Sequence, residues 1–122
     1  MSAPPFSPDE SALPRTYLRP CLLVLLGEGP THGYELLEGA RLLGFGGADA
    51  GGLYRALRAM EHEGLLRSWW EPSPAGPPRR TYELNEDGTE ALGRAVEELR
   101  AAGRLLGTLV ERYGANGEQC RR

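Results

Sequence analysis

The sequence contains no lysine, so all 14 of its basic side chains are arginines. Cysteine and histidine occur only twice each, and the cysteines at positions 21 and 120 lack the close spacing of metal ligands. The longest apolar run, residues 21–26, is far too short to cross a bilayer, and prolines interrupt any signal-type segment near the start. We therefore expect a cytoplasmic protein with no cofactor, no metal and no membrane attachment.

Sequence patterns of catalysis are also missing. The chain contains no GxSxG motif of a serine hydrolase, no HExxH motif of a zinc protease and no P-loop, so no motif predicts an enzyme. The net charge of −3 argues at first sight against nucleic acid, but phosphate contact needs only a local basic face. Residues 65–84 hold three arginines against two acids, whereas residues 85–114 hold four against six. Positive charge is thus richest near the hairpin tip and the negative excess lies in the last helix, and arginine suits bidentate phosphate contacts.

Residues 49–84 are the most informative stretch of the chain. Asp49 is a good N-cap for a helix, and Gly64 stands where a C′ glycine ends one. Between them, Leu53, Leu57 and Met60 recur at helical spacing and predict one buried stripe. The remaining surface of this helix carries small, tyrosine and basic residues that we take as candidate DNA contacts: Gly51, Gly52, Tyr54, Arg55, Arg58 and His62.

A β-hairpin is predicted to follow, with Arg79 and Arg80 close to its Pro/Gly-rich tip at residues 72–78. Two adjacent tryptophans, Trp69 and Trp70, cannot both point inward on a regular strand, and the sequence leaves open which one packs on the core. Alternation groups the other side chains by face, with Leu66, Ser68 and Trp70 together on the first strand and Arg80, Tyr82 and Leu84 together on the return strand.

The segments before this stretch predict two more helices. Residues 1–14 are expected to form a disordered arm, and a helix begins near Thr16 with Pro20 in its first turn. A second helix is predicted from an N-cap at Thr31 to about Leu43, with Tyr34, Leu36 and Leu37 inward. A glycine-rich turn joins it to the Asp49 helix, which is the helix-turn-helix pattern. The predicted fold is mainly α with a small β-hairpin, a winged helix-turn-helix over residues 15–84.

Residues 85–114 predict a long last helix capped by Asn85, followed by a disordered tail at 115–122. Its apolar stripe is longer than a domain of this size can cover, so we expect the helix to pair with a second copy. The alternative is a helix folded back on its own domain. The candidate dimerisation residues are Leu92, Val96, Leu99, Leu105, Leu106, Leu109, Val110 and Tyr113.

Four segments in this order resemble the successive blocks of the PadR family of transcriptional regulators: residues 31–36 (THGYEL), 52–57 (GLYRAL), 61–65 (EHEGL) and 79–84 (RRTYEL). The resemblance covers about Arg19 to Ala95, and the single last helix is similar to the family's smaller subgroup. The sequence departs from the family pattern at three positions, with Arg55 for a proline, Gly52 for a serine or threonine, and Asn85 for a threonine cap.

The resemblance implies a homodimeric repressor of a palindromic operator in double-stranded DNA. The helix at residues 49–63 would enter the major groove and the wing would touch the backbone or minor groove. Tyr54 would contact a phosphate, and Arg79 and Arg80 would be the wing contacts. Many members of the family also bind an effector that releases DNA.

An effector site, if one exists, needs large apolar groups, and the sequence offers Trp69, Trp70 and Phe45 as candidates for a flat aromatic ligand. The competing interpretation is that one tryptophan packs in the core and the other shields the hairpin. Two other classes of function stay open: a winged-helix protein-interaction module without DNA binding, and a metal or thiol sensor. The sensor would use Cys21, His32, His62 or Cys120.

Overall fold

A computed structural model of the chain describes residues 13–120, with side chains described from 13 to 116. The predicted arm therefore lies outside the described residues except for its last two. Within the described range, a 3₁₀ turn at Arg15–Tyr17 precedes α1 (Leu18–Leu26), β1 (Thr31–His32), α2 (Gly33–Leu42), α3 (Ala50–His62), β2 (Leu66–Ser73), β3 (Gly76–Leu84) and α4 (Glu86–Cys120). The chain is mainly helical with one small sheet, as the sequence predicts.

The first three helices, the inner face of the sheet and the proximal part of α4 enclose a single core. Pro20 lies in the first turn of α1, where its missing N–H costs no helical hydrogen bond. Leucine is the commonest residue of the core, and the most completely buried large side chains are Leu22, Leu36, Leu53, Leu57 and Met60. Burial of each such side chain contributes about 1.5–3 kcal/mol, and this packing fixes the orientation of α3 on the domain.

The prediction for the start of α2 is wrong in two respects. Thr31 is not its N-cap, because Thr31 and His32 pair with the return strand of the hairpin and the helix begins at Gly33. Tyr34 does not point inward and is 69% exposed. The buried face of α2 is centred on Leu36, Leu37 and Ala40, and Tyr34 lies about a third of a turn away from it.

The sheet has three antiparallel strands in the order β1-β3-β2, one more than the predicted hairpin. The register pairs Leu66 with Leu84 and Trp70 with Arg80, so the side chains that alternation groups on each strand do share one face of the sheet. Pairing shifts between Glu71 and Ser73, where the wing bends towards its tip.

α4 begins at the predicted cap, since the Gly88 N–H donates to Asn85 Oδ1 at 2.8 Å. It does not end near residue 114 but continues to Cys120, so the predicted disordered tail is helical over 115–120, and residues 121–122 lie outside the described range. Its 35 residues span about 52 Å at 1.5 Å per residue. None of the described helices combines the length and the apolar character that spanning a bilayer requires.

Candidate nucleic-acid interface

The centre of the candidate interface is α3, whose two faces have opposite characters. The predicted stripe is confirmed, because Leu53, Leu57 and Met60 are each no more than 1% exposed. Three to four residues apart, they fix one side of the helix in the core. The other side is open to solvent and carries Gly51, Tyr54, Arg55, Arg58 and His62, with Gly52 half-buried.

Both ends of α3 are fixed by the residues that the sequence predicts. The Asp49 carboxylate accepts a hydrogen bond of 2.9 Å from the Gly52 N–H. At the other end Gly64 adopts a φ of +83°, a left-handed conformation that glycine accepts at little cost. Arg19 of α1 also forms a bidentate ion pair with Glu63 just past the helix, which holds the pKa of Glu63 below its usual range. The helix is therefore tied to the domain along its buried face and at both termini.

Tyr54 lies against the first residue of α2. A Cβ placed on Gly33 would come within 2.5 Å of the Tyr54 hydroxyl oxygen and 2.6 Å of its Cε1 atom. Glycine at position 33 thus provides the space that the tyrosine ring occupies. The ring is 38% exposed, so its position is set by α2 while the side chain remains open to a ligand.

The wing adds two more arginines, which lie on opposite faces of its return strand near the tip. Arg79 is exposed opposite Glu71, and Arg80 lies opposite Trp70 with its guanidinium carbon 5.1 Å from the centre of the indole ring. Such a cation–π contact is worth about 0.5–1 kcal/mol at an exposed site and orders both side chains. Trp70 itself is 63% exposed, so it does not belong to the core.

A cleft of about 500 Å³ separates α3 from the wing. Its charged lining consists of Arg58, Arg79 and Arg80 against Glu61, so the cleft has a net positive charge. The Ser68 hydroxyl lies 2.8 Å from both Glu61 carboxylate oxygens, so the Glu61 carboxylate already has a hydrogen-bond donor within the domain. The rest of the lining includes hydroxyl and aromatic groups: His32, Gly33, Tyr34, Tyr54, Trp70, Pro78 and Tyr82. Burial is the main cause that raises the pKa of Tyr82, which keeps its phenol neutral.

A hydrogen-bonded chain ties the wing to β1. The Thr81 hydroxyl donates to Glu71 Oε1 at 2.6 Å, and His32 Nδ1 lies 3.1 Å from the same hydroxyl oxygen. Because the single hydroxyl hydrogen is used by Glu71, we assign the proton of the second contact to His32 Nδ1. The Thr81 hydrogen bond is the main cause that holds the pKa of Glu71 below its usual range. His32 is thus accounted for by a structural role at the base of the wing.

The sequence model of the family described as the transcriptional regulator PadR-like family matches residues 22–94, more than half of the chain. The chain belongs to this family. The matched PadR-like region runs from α1 to the first part of α4 and includes α3 and the wing. The family is one of transcriptional regulators and not of enzymes, which makes the chain a DNA-binding regulator by membership.

Solved structures share this PadR-like fold. A conserved protein of unknown function, described as a potential transcriptional factor, has 31% identity and a TM-score of 0.71 over 84% of this chain and 92% of its own. A PadR-like regulator from Bacillus cereus has 25% identity and a TM-score of 0.71, covering 79% and 93%. A Streptococcus transcriptional regulator has 27% identity and a TM-score of 0.67, covering 75% and 90%. No curated protein matches the sequence.

The three aromatic residues considered for an effector pocket do not come together in this PadR-like chain. Trp70 lines the cleft beside α3, whereas its neighbour Trp69 lies on the opposite face of the hairpin, with the Arg67 guanidinium carbon 5.5 Å from its ring centre. Phe45 is buried at the turn between α2 and α3 and lines an apolar groove of about 290 Å³ beside α1 and α4. Neither tryptophan belongs to the core cluster, so the expectation that one of them packs there is wrong.

The candidate dimerisation residues divide into two groups along α4. Leu92, Val96 and Leu99 are half-buried where the helix packs along α1, and Leu92 fills the space beside Gly27. This proximal part folds back on its own domain. The distal part does not, because its large apolar side chains are 57–69% exposed: Leu105, Leu106, Leu109, Val110 and Tyr113.

Sequence reasoning missed several residues of this surface. Tyr34 and Glu61 line the cleft, and the THGYEL segment at residues 31–36 was the available signal for the tyrosine. Arg15 lies beside the first turn of α3, although nothing in the sequence around it marks a contact. Over the described residues, the structure brings together no group of three or more histidine, cysteine, aspartate or glutamate side chains that could hold a metal ion.

Proposed function

We propose that the protein is a homodimeric transcriptional repressor that acts in the cytoplasm and binds a palindromic operator in double-stranded DNA. The proposal rests chiefly on one observation: α3 and the wing present tyrosine and arginine side chains to one open, positively charged cleft. In this arrangement α3 enters the major groove and its exposed residues meet base edges. The strand of backbone beside that groove runs through the cleft, between Arg58 on the helix and Arg79 on the wing.

The hydroxyl and arginine groups of the cleft suit a phosphodiester better than a neutral ligand. Tyr34 and Tyr54 offer hydroxyl donors, and the guanidinium groups supply charge-assisted hydrogen bonds, which are roughly twice as strong as neutral ones. Such contacts set the position of the protein on the duplex, while sequence is read by α3. His62 and Arg58 lie one turn apart on the exposed side of α3 and are the proposed groups closest to its C-terminal end.

Dimerisation through α4 completes the proposal. A stripe of five large apolar side chains stays exposed on the distal half of this helix, which is unusual for a surface with no partner. The same stripe on a second copy covers it by two-fold symmetry, and that symmetry matches a palindromic site. Sedimentation at micromolar concentration should give a dimer; a monomer would remove this part of the proposal.

The last part of the proposal is that a small aromatic effector releases the protein from DNA. Trp70 supplies a large exposed ring in the cleft, next to Tyr34 and Tyr54. A flat ligand stacked there would occupy space that the DNA backbone needs, so binding of the two would be mutually exclusive. An effector should quench indole fluorescence saturably and release DNA in parallel. Trp70→Phe should lose the quench, and Trp69→Phe, on the other face of the hairpin, should keep it; the reverse pattern would place the ligand elsewhere.

Selection of bound sequences from a random DNA pool, followed by gel shift at several salt concentrations, tests DNA binding. We expect a palindromic consensus and a slope of log affinity against log salt that reflects several phosphate contacts. Arg79→Ala should lower that slope by about 1 per half-site and weaken binding to all sequences. Arg100→Ala, on α4, is the matched control and should change neither. If the purified dimer retards no DNA at low salt, the protein-interaction module becomes the better interpretation.

A further inference from the structure

A second arginine cluster lies on α3, on the side away from the cleft. Arg15, from the 3₁₀ turn before α1, and Arg55, from the second turn of α3, both line a depression of about 280 Å³. None of the residues around this depression also lines the cleft beside the wing. The Arg15–Arg55 site is therefore separate from the cleft used in the proposed function.

The two guanidinium groups converge on one point. A Cβ placed on Gly52 would lie 3.7 Å from Arg55 Nη2 and 3.8 Å from Arg15 Nη2, and one on Gly51 would lie 3.4 Å from Arg55 Nη1. Position 52 itself is glycine and adds no side chain there, whereas Asp49 Oδ1 lies nearest, 2.8 Å from the same Cβ position. Two guanidinium groups that face one position bind an anion more strongly than either arginine alone.

The charges nearby leave this pair unbalanced. Asp49 Oδ1 lies close to the same point, but the Asp49 carboxylate already accepts the Gly52 N–H as the helix cap. Among the described residues, neither Arg15 nor Arg55 has a carboxylate within ion-pair distance, whereas Arg41 nearby pairs with Glu38 at 3.5 Å. Two positive charges against one negative charge leave a net positive site that is open to solvent.

The position of Arg15 is determined by the fold. Just before it, the Leu13 N–H donates to the Gly44 carbonyl at 3.2 Å, and the Leu13 side chain packs on Gly44, which has a φ of +111°. The segment is thereby attached to the turn between α2 and α3, so the 3₁₀ turn that follows delivers Arg15 to the start of α3. A residue that precedes the family match at 22–94 is placed on the candidate DNA surface.

We propose that Arg15 and Arg55 together hold one phosphodiester of the operator backbone in each half-site, on the far side of the major groove from the wing. The inference rests on the proposed function, because α3 must lie in the groove for its first turn to approach this strand. The protein then contacts the DNA backbone on both sides of α3, through the wing on one DNA strand and through the arginine pair on the other. The pair contributes to affinity and position and not to base recognition.

The test compares Arg15→Ala, Arg55→Ala and the double variant with wild type on the selected operator. Each single change should weaken binding, and the double variant should lower the salt slope of the dimer by about 2, since each half-site loses one phosphate contact of about 0.9. Arg55→Lys should preserve most of the slope. Arg100→Ala serves as the charge-matched control. Arg15, Arg55 and Arg100 are all exposed in the native chain, and thermal unfolding checks that the variants fold.

Ethylation interference provides a second readout. One phosphate in each half-site should block wild-type binding when it is ethylated and have no further effect on the double variant. An unchanged slope together with an unchanged interference pattern would overturn the inference. If Arg79→Ala still lowers the slope in that case, the proposed function survives; if wild type binds no DNA, the proposed function fails first. Titration with inorganic phosphate tests whether the site takes a free anion. If the double variant loses phosphate binding while the salt slope of its DNA binding equals that of wild type, the site binds a free anion and not the operator backbone.

Discussion

Substituting Gly33 by alanine should separate DNA binding from folding. The added methyl group would meet the Tyr54 ring at 2.5–2.8 Å, and carbon atoms in contact normally stand 3.5–4.0 Å apart. The ring must therefore withdraw by about 1 Å. Because Tyr54 is the free end of a partly exposed side chain, it can rotate without moving the backbone of α3.

The expected effect on stability is small. An off-rotamer tyrosine costs roughly 0.5–1.5 kcal/mol, while alanine is favoured over glycine in a helix by up to about 1 kcal/mol. These two contributions nearly cancel, so the free energy of unfolding should change by less than about 1 kcal/mol. Affinity should fall much further, because a hydrogen bond to a charged group contributes about 1.5–3 kcal/mol and a dimer loses two of them. We expect binding to weaken by roughly a hundredfold or more.

Fluorescence anisotropy with labelled operator measures the affinity, and thermal unfolding measures the stability. Tyr54→Ala and the double variant Gly33→Ala/Tyr54→Ala complete a double-mutant cycle, in which Gly33→Ala should have little effect once the tyrosine is gone. Operator binding at wild-type strength by Gly33→Ala would refute the assignment of Tyr54 as a phosphate contact. A large loss of stability would show instead that the ring cannot move aside.

Three further measurements address α4, the end of α3 and the half-buried thiol. Changing Leu99 and Leu106 together to aspartate should give a monomer or an unfolded chain without operator binding, since each buried charge costs several kcal/mol; sedimentation and circular dichroism distinguish the two results. The pKa of Glu63 is held below its ordinary value of 4.5 by an arginine hydrogen bond, so that carboxylate stabilises the fold above about pH 4.5 and loses its effect as the pH falls. Urea midpoints of wild type and Glu63→Gln should therefore differ at pH 7 and approach each other as the pH falls through the lowered pKa of Glu63, and a constant difference would contradict the ion pair. Burial raises the pKa of Cys21 to about 11, so at pH 8 only about a thousandth of it is thiolate and mass spectrometry should find alkylation slow until the chain unfolds.

The parts of the fold that follow from periodicity could be predicted from the sequence. The stripe of Leu53, Leu57 and Met60 fixed which side of α3 is exposed, and the Asp49 cap and Gly64 fixed its ends. Alternation assigned the faces of the hairpin because side chains on a strand repeat every two residues. These local rules operate over a few residues and depend little on the rest of the chain.

The parts that depend on distant contacts could not be predicted. β1 has only two residues, too few for any alternation, and it exists because β3 offers an unpaired edge. Tyr34 looks apolar enough to be buried, yet α2 meets the core through residues further along. Arg15 is placed by an attachment to Gly44, a contact between residues 31 positions apart. Trp70 lies on the wing and Phe45 on the turn between α2 and α3, and no short pattern encodes how far apart the fold places them.

In the proposed dimer, the length of α4 would make the spacing of the two DNA-binding domains sensitive to how α4 packs. In a dimer held together by the distal halves of two such helices, residues 105–120 alone form an arm of about 24 Å at 1.5 Å per residue. A tilt of about 10° where α4 meets α1 would displace the far end of that arm by about 4 Å, more than the rise of one base pair. Two half-sites one helical turn apart must be spaced to within that distance for both α3 helices to enter successive grooves. Small changes in the packing of Leu92 against Gly27, far from any base, would therefore change which half-site spacing the dimer binds best.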